Sequence, residues 1–117
     1  MKVTVLYTKA TARGMRLMVG FDEGLPSLKD INQNYAVVYH DETERDYKVT
    51  PEDIFRIFNG ADSRTQNPLA NEEGQAKLKR LEVGHTSMSV GDIVQIDDTI
   101  YICQNTGWAT MTWKTEW

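Results

Sequence analysis

Apolar and polar positions alternate most regularly in the last third of the chain. Residues 93–96 are mostly apolar, residues 100–103 follow the turn-forming pair Asp97 and Asp98, and residues 109–113 alternate with a period of two. Alternation with this period, interrupted by short polar turns, is typical of antiparallel strands. The stretch therefore predicts a three-strand antiparallel meander.

Shorter alternating segments occur in the first forty residues. Residues 2–8, 15–19 and 35–40 each have apolar side chains at every second position, or nearly so. A short helix beginning near Ser27, with Asp30 at the third helical position, fits between the last two of these segments. The pattern predicts three further strands and one helix of about two turns.

Two other segments begin with the sequence signals of a helix. Thr50 can cap a helix over residues 51–58, in which Pro51 takes the first helical position. Asn71 opens a second helix that runs to about Leu81 and carries basic residues near its end, where the helix dipole favours cations. Between them lies a polar, aperiodic connection that is long for a compact domain.

These elements together predict an α+β fold. The expected architecture is an antiparallel sheet of four to six strands with two main helices and a C-terminal three-strand meander. Phe55 and Phe58 should be buried against the sheet, since they lie on the apolar face of the first main helix. We predict a single domain over residues 1–117, because neither a repeat nor a linker divides the chain.

Composition and charge narrow the class of function. The chain has a formal net charge of −4. This charge argues against direct nucleic-acid binding, which requires clustered positive side chains. The sequence has no apolar run near the roughly 20 residues that span a bilayer. It also lacks the pattern of a signal peptide. We therefore expect a cytoplasmic protein with protein partners and no membrane contact.

Few residues offer catalytic or metal chemistry. His85, Ser87 and Asp92 include the residue types of a hydrolytic triad, but their spacing also suits a turn in which Ser87, Ser89 and Asp92 bond local backbone groups. We predict the structural role and no catalytic residues. The histidine and cysteine spacing supports no metal site, and no cofactor motif is present. The single cysteine, Cys103, is predicted to be a core residue.

Three sequence pieces occur in an order that resembles the YodL-like domain family, which comprises small proteins of phages, plasmids and conjugative elements. They are residues 35–39 (YAVVY), 51–59 (PEDIFRIFN) and 84–94 (GHTSMSVGDIV), and the resemblance covers roughly residues 35–111. It implies a compact accessory domain without a settled enzymatic activity. This chain departs from the family in a longer loop over residues 61–82, and in Gly91, where the family often has serine.

The resemblance, the small size and the acidity together favour a protein that binds and inhibits a host defence complex, of the anti-CRISPR or anti-restriction type. A nuclease or its effector complex is the expected partner. Acidic side chains in the connection after residues 35–40 can imitate phosphates; the alternative is a solvated loop that only aids solubility. An exposed terminal tryptophan can anchor an interface. The alternatives are a small enzyme acting on a nucleotide or nucleic acid, and a regulatory module for mobile-element DNA processing. The predicted partner-binding residues are Asp41, Glu42, Glu44, Asp46 and Trp117.

Overall fold

The computed structural model describes residues 2–11, 28–42, 49–59, 67–104 and 107–112. Five strands and three helices lie within these ranges. In chain order they are β1 (Lys2–Thr8), α1 (Leu28–Asn34), β2 (Tyr35–Glu42), α2 (Pro51–Ile57), α3 (Glu72–Arg80), β3 (Ile93–Ile96), β4 (Thr99–Cys103) and β5 (Trp108–Thr112).

The five strands form one antiparallel sheet in the order β2-β1-β3-β4-β5. The first strand lies between β2 and β3, so that Val3 pairs with Asp41 on one side and with Ile96 on the other. The last three strands follow one another as a meander. The α+β class, the number of strands and the C-terminal meander are thus as the sequence predicts. The strand predicted at residues 15–19 lies outside the described residues.

Both faces of the sheet are covered, which explains why successive residues of β1 are buried. Val5 and Tyr7 belong to a core cluster that also contains Leu78 of α3 and Phe58, the residue that follows α2. Leu6 belongs to a second cluster with Ile31 of α1. Because neighbouring side chains on a strand point to opposite faces, α1 lies on one face and the other two helices on the other.

The second helix begins where the sequence predicts. The Thr50 side chain accepts a hydrogen bond from Asp53 N, and the Asp53 carboxylate accepts from Thr50 N, so the two residues form a capping box. These hydrogen bonds from Thr50 lower the pKa of the Asp53 carboxyl. Phe58 follows the helix and is buried, with its ring edge-on to those of Tyr7 and Tyr39. Phe55 is only half-buried, so its predicted burial is wrong in extent.

The third helix has a close contact at its first turn that the sequence does not reveal. The Asn71 side chain caps the helix by accepting a hydrogen bond from Gly74 N at 2.7 Å. A Cβ atom on Gly74 would lie 2.4 Å from the carbonyl oxygen of Leu69. Glycine therefore allows the preceding turn to pack against the helix, a benefit that offsets its low helix propensity.

Candidate functional site

A fully buried carboxylate stands immediately before the meander. The Oδ1 atom of Asp92 accepts a hydrogen bond from Thr8 N at 2.9 Å. Its Oδ2 atom accepts one from Ser89 N at 2.8 Å and lies 2.8 Å from Nε2 of His85. The carboxylate therefore links the last residue of β1 to the turn before β3 and to the histidine.

The backbone around this turn holds the carboxylate in place. Gly91 N donates to Cys103 O at 2.8 Å, and Cys103 N donates to Asp92 O at 2.9 Å, so these bonds extend the pairing of β3 with β4. The Tyr35 hydroxyl donates to the Gly91 carbonyl. Gly91 has a φ of 93°, which a residue with a Cβ rarely adopts. Glycine at this position therefore suits the turn better than a residue with a side chain would.

His85 is held between the carboxylate and an aromatic ring. Its imidazole stacks on the ring of Tyr7, with centroids 4.6 Å apart and planes inclined by 14°. The Tyr7 hydroxyl donates to the Thr86 carbonyl at 2.9 Å, and the tyrosine itself is fully buried. The imidazole is thus held by the Asp92 carboxylate and the Tyr7 ring, and the Tyr7 hydroxyl also anchors the next residue, Thr86.

Burial governs the ionisation of both neighbours of His85. It raises the pKa of Asp92, while hydrogen bonds from His85, Ser89 and Thr8 act in the opposite direction. Burial, followed by the charge of Asp92, raises the pKa of Tyr7 well above its usual value. The Tyr7 hydroxyl is consequently protonated near neutral pH and can donate its hydrogen bond to the Thr86 carbonyl.

The geometry separates this cluster from a hydrolytic triad. In a triad the nucleophile is hydrogen-bonded to the imidazole nitrogen that does not face the carboxylate. The Ser89 hydroxyl instead lies 3.4 Å from Asp92 Oδ2. Ser87 is exposed, and its hydroxyl takes part in none of the hydrogen bonds formed among the described residues. The predicted hydrogen bonds to backbone groups are confirmed for Asp92, whereas the side chains of Ser87 and Ser89 form none with the described backbone.

A buried asparagine completes the support of the turn, and the sequence analysis missed it. Asn67 Nδ2 donates to Phe58 O and to Thr86 O, at 2.6 and 3.0 Å. Its Oδ1 accepts from Leu69 N at 2.9 Å. The amide thus joins the end of α2 to the segment that carries His85. The Asn67-Pro68 dipeptide was the available signal, because asparagine before proline favours the start of a turn.

The predicted partner-binding residues fall in two groups. Asp41 and Glu42 are exposed, but they are the last residues of β2 rather than part of an irregular connection. Asp41 pairs with Val3 and Glu42 pairs with Lys2, so β2 continues past the point where the alternation of apolar residues ends. The other three predicted residues lie outside the described ranges; they are Glu44, Asp46 and Trp117.

Two further carboxylates lie at the same end of the sheet. Asp97 and Asp98 form the exposed turn between β3 and β4. The Asp97 side chain accepts a hydrogen bond from Lys2 N at 2.9 Å, and Lys2 Nζ lies 3.4 Å from Glu42 Oε1. The end of β2 and the turn between β3 and β4 therefore present acidic side chains on either side of Lys2 in β1.

Other chemistry in the described residues is limited. Cys103 is buried in β4, and burial raises the pKa of its thiol to about 11, so its predicted core role is confirmed. No group of three or more His, Cys, Asp or Glu side chains within the described ranges could hold a metal ion. Among the helices described, none has the length and apolar character needed to cross a membrane.

The protein is thus a small α+β domain in which a buried Asp–His pair joins the first strand to a C-terminal meander. It is 40% identical over 82 residues to Uncharacterized protein R785 of Acanthamoeba polyphaga mimivirus, and the match covers 68% of this chain and 71% of the viral protein. The chain belongs to the same family as this mimivirus protein. No family model matches the chain. No solved structure matches it either. The resemblance to the YodL-like family stays a prediction.

Proposed function

We propose that this chain is a viral or mobile-element accessory protein that acts in the host cytoplasm by binding and inhibiting a host defence complex, of the anti-CRISPR or anti-restriction type. The mimivirus relative supports a viral setting. The net charge of −4 supports a basic binding partner. The inhibitor occupies a protein surface and turns over no substrate.

The acidic end of the sheet is the observation that carries this proposal. We define it as Asp41, Glu42, Asp97 and Asp98, all of which are exposed. Adjacent strands are separated by about 4.8 Å, so the ends of β2 and β3, with β1 between them, lie roughly 10 Å apart. Lys2 contacts Glu42 and Asp97, and four carboxylates against this one lysine leave the surface with a net negative charge. Such a surface competes with nucleic-acid phosphates for a basic groove on a nuclease.

The test is a charge reversal at the acidic end. The partner is first isolated from host lysate and identified by mass spectrometry. Association is then measured at two salt concentrations for the wild type and for the Asp41→Lys, Glu42→Lys double variant. We expect the variant to associate about tenfold more slowly or worse, because steering by complementary charge raises association rates on this scale. Added salt should slow the wild type and affect the variant less.

A matched control reverses the same number of charges elsewhere. Glu73 in α3 and Glu82 after it are exposed. The Glu73→Lys, Glu82→Lys double variant should associate at nearly the wild-type rate. If the two double variants slow association equally, the acidic end is not the binding surface. If neither changes it and salt has no effect, charge does not steer the interaction.

The second candidate function is a small enzyme acting on a nucleotide or nucleic acid, and the His85–Asp92 pair favours it. A carboxylate that fixes one imidazole nitrogen leaves the other able to accept or give a proton. The discriminating variant is His85→Gln, assayed for folding and for anti-defence activity in cells. Loss of activity in a variant of wild-type stability would support the enzyme. If the variant loses activity only to the extent that it loses stability, the result supports the binding protein.

A further inference from the structure

A small pocket lies between α2 and the first residue of β5. Its volume is about 190 Å³, and it is lined by Glu52, Phe55, Cys103, Gln104, Gly107 and Trp108. Sites for drug-sized ligands have volumes of about 300–1,000 Å³. This pocket is therefore suited to a single chemical head group rather than to a nucleotide.

Two aromatic rings and a carboxylate define the pocket. The rings of Phe55 and Trp108 are nearly perpendicular, at 87°, with centroids 6.1 Å apart. The indole N–H of Trp108 donates to Glu52 Oε2 at 2.9 Å. This hydrogen bond fixes the carboxylate beside the rings and leaves its second oxygen available to accept from a ligand.

The charge of Glu52 acts within this pocket. Glu52 forms no ion pair with any cationic side chain in the described part of the chain. Burial, the charge of Asp92 and then the charge of Glu52 raise the pKa of the Cys103 thiol to about 11. The thiol is consequently neutral near pH 7, so Glu52 is the only charged side chain among the described residues that line the pocket.

We propose that this pocket binds a guanidinium group, such as the head group of an arginine side chain. Aromatic faces and a carboxylate both attract organic cations. A guanidinium group is planar, weakly hydrated and rich in hydrogen-bond donors, whereas an ammonium group is strongly hydrated and loses more on leaving water. The pocket lies at the Cys103–Trp108 end of the β4–β5 ladder, and the acidic end lies at the other, beyond Thr99. The inference therefore does not depend on the proposed function.

The direct test is a titration of the full chain with N-acetyl-arginine amide. The signal is the NMR resonance of the Trp108 indole N–H, which is assigned with a Trp108→Phe variant. N-acetyl-citrulline amide is the matched probe, because it has nearly the same shape and no charge. We expect a saturable shift with the arginine compound and little or none with citrulline. An absent shift, or equal binding of the two compounds, would overturn the proposal.

A single substitution tests the role of the carboxylate. In Glu52→Gln the amide oxygen can still accept from the Trp108 indole, so the pocket keeps its shape while losing its charge. We expect the affinity for N-acetyl-arginine amide to fall about tenfold or more, the scale of one charge-assisted hydrogen bond. Glu73→Gln is the control, because Glu73 is the second residue of α3 as Glu52 is of α2. Equal affinities for the Glu52 variant and the wild type would overturn the proposal.

Two further probes identify the source of the group. Methylguanidinium represents a free small molecule, and acetyl-Gly-Arg-Gly-amide represents an arginine within a partner protein. Tighter binding of the peptide supports a side chain of a partner as the occupant. Tighter binding of methylguanidinium supports a free guanidino compound. Binding of neither probe would overturn guanidinium recognition.

Discussion

The two ends of the sheet use the same chemical group in opposite ways. At one end Asp92 is fully buried and is surrounded by donors from Thr8, Ser89 and His85. At the other end the four carboxylates of the acidic end are exposed. The basic partners of these carboxylates differ in the same sense. The side chains of Lys2 and Glu42 are 66% and 63% exposed, and those of His85 and Asp92 are 15% and 0% exposed.

The difference shows how burial decides the role of a carboxylate. A buried carboxylate must replace its lost hydration with protein donors, so it becomes a fixed part of the fold. An exposed carboxylate keeps its hydration, contributes little to stability and remains free to meet a partner. We therefore expect substitutions at the Asp92 end to change stability and those at the acidic end to change binding.

The largest expected effect is that of Asp92→Ala. The substitution leaves Thr8 N and Ser89 N without their acceptor and removes the partner of His85. We expect the free energy of unfolding to fall by about 3–5 kcal/mol, as for other broken buried pairs. Urea denaturation monitored by circular dichroism measures this change.

Asp98→Ala is the control for this prediction. Asp98 is exposed in the turn between β3 and β4, so its removal should change the free energy of unfolding by no more than about 0.5 kcal/mol. Similar losses for the two variants would mean that burial does not distinguish the two ends of the sheet.

A smaller effect is expected from removing the basic partner of one carboxylate at each end, His85 for Asp92 and Lys2 for Glu42. His85→Ala removes a donor to Asp92 and the ring stacked on Tyr7, and should cost about 1–3 kcal/mol. Lys2→Ala breaks only the exposed pair with Glu42 and should cost at most about 0.5 kcal/mol. Thermal unfolding of both variants at one pH compares them, and the opposite ranking would refute our account of the histidine.

The smallest effect concerns the reactivity of Cys103. Its thiol pKa is raised from 9.0 to about 11, first by burial and next by the charge of Asp92. Because the fold holds the thiol protonated, this contribution to stability is present below about pH 9 and is lost as the pH rises through about 11. Asp92→Asn should lower the pKa, and Asp98→Asn should leave it unchanged. The pH dependence of iodoacetamide alkylation measures it, and an unchanged profile for Asp92→Asn would indicate that Asp92 is uncharged.

Local patterns in the sequence predicted much of the fold. The period-two alternation located β1, β2 and the meander, and the capping residues Thr50 and Asn71 located the starts of α2 and α3. These signals are local because strand faces and helix caps depend on residues a few positions apart.

Contacts between distant segments escaped the prediction. By its helix propensity alone, Gly74 should only weaken α3, but the approach of Leu69 makes glycine necessary there. Asp41 was assigned to a connection because its polarity hid its pairing with Val3. The buried state of Asp92 depends on Thr8, which is 84 residues earlier in the chain. No local periodicity records such contacts.

The position of β1 between β2 and β3 has a consequence for synthesis of the chain. Lys2 and the side chain of Asp97, which meet where β1 and β3 pair, are separated by 95 residues. At roughly 5–20 residues per second, a ribosome needs about 5–20 s to make the intervening segment. During this interval β1, an interior strand of the finished sheet, lacks its partner β3 and has one open edge, which is the kind of surface that chaperones shield and that favours aggregation.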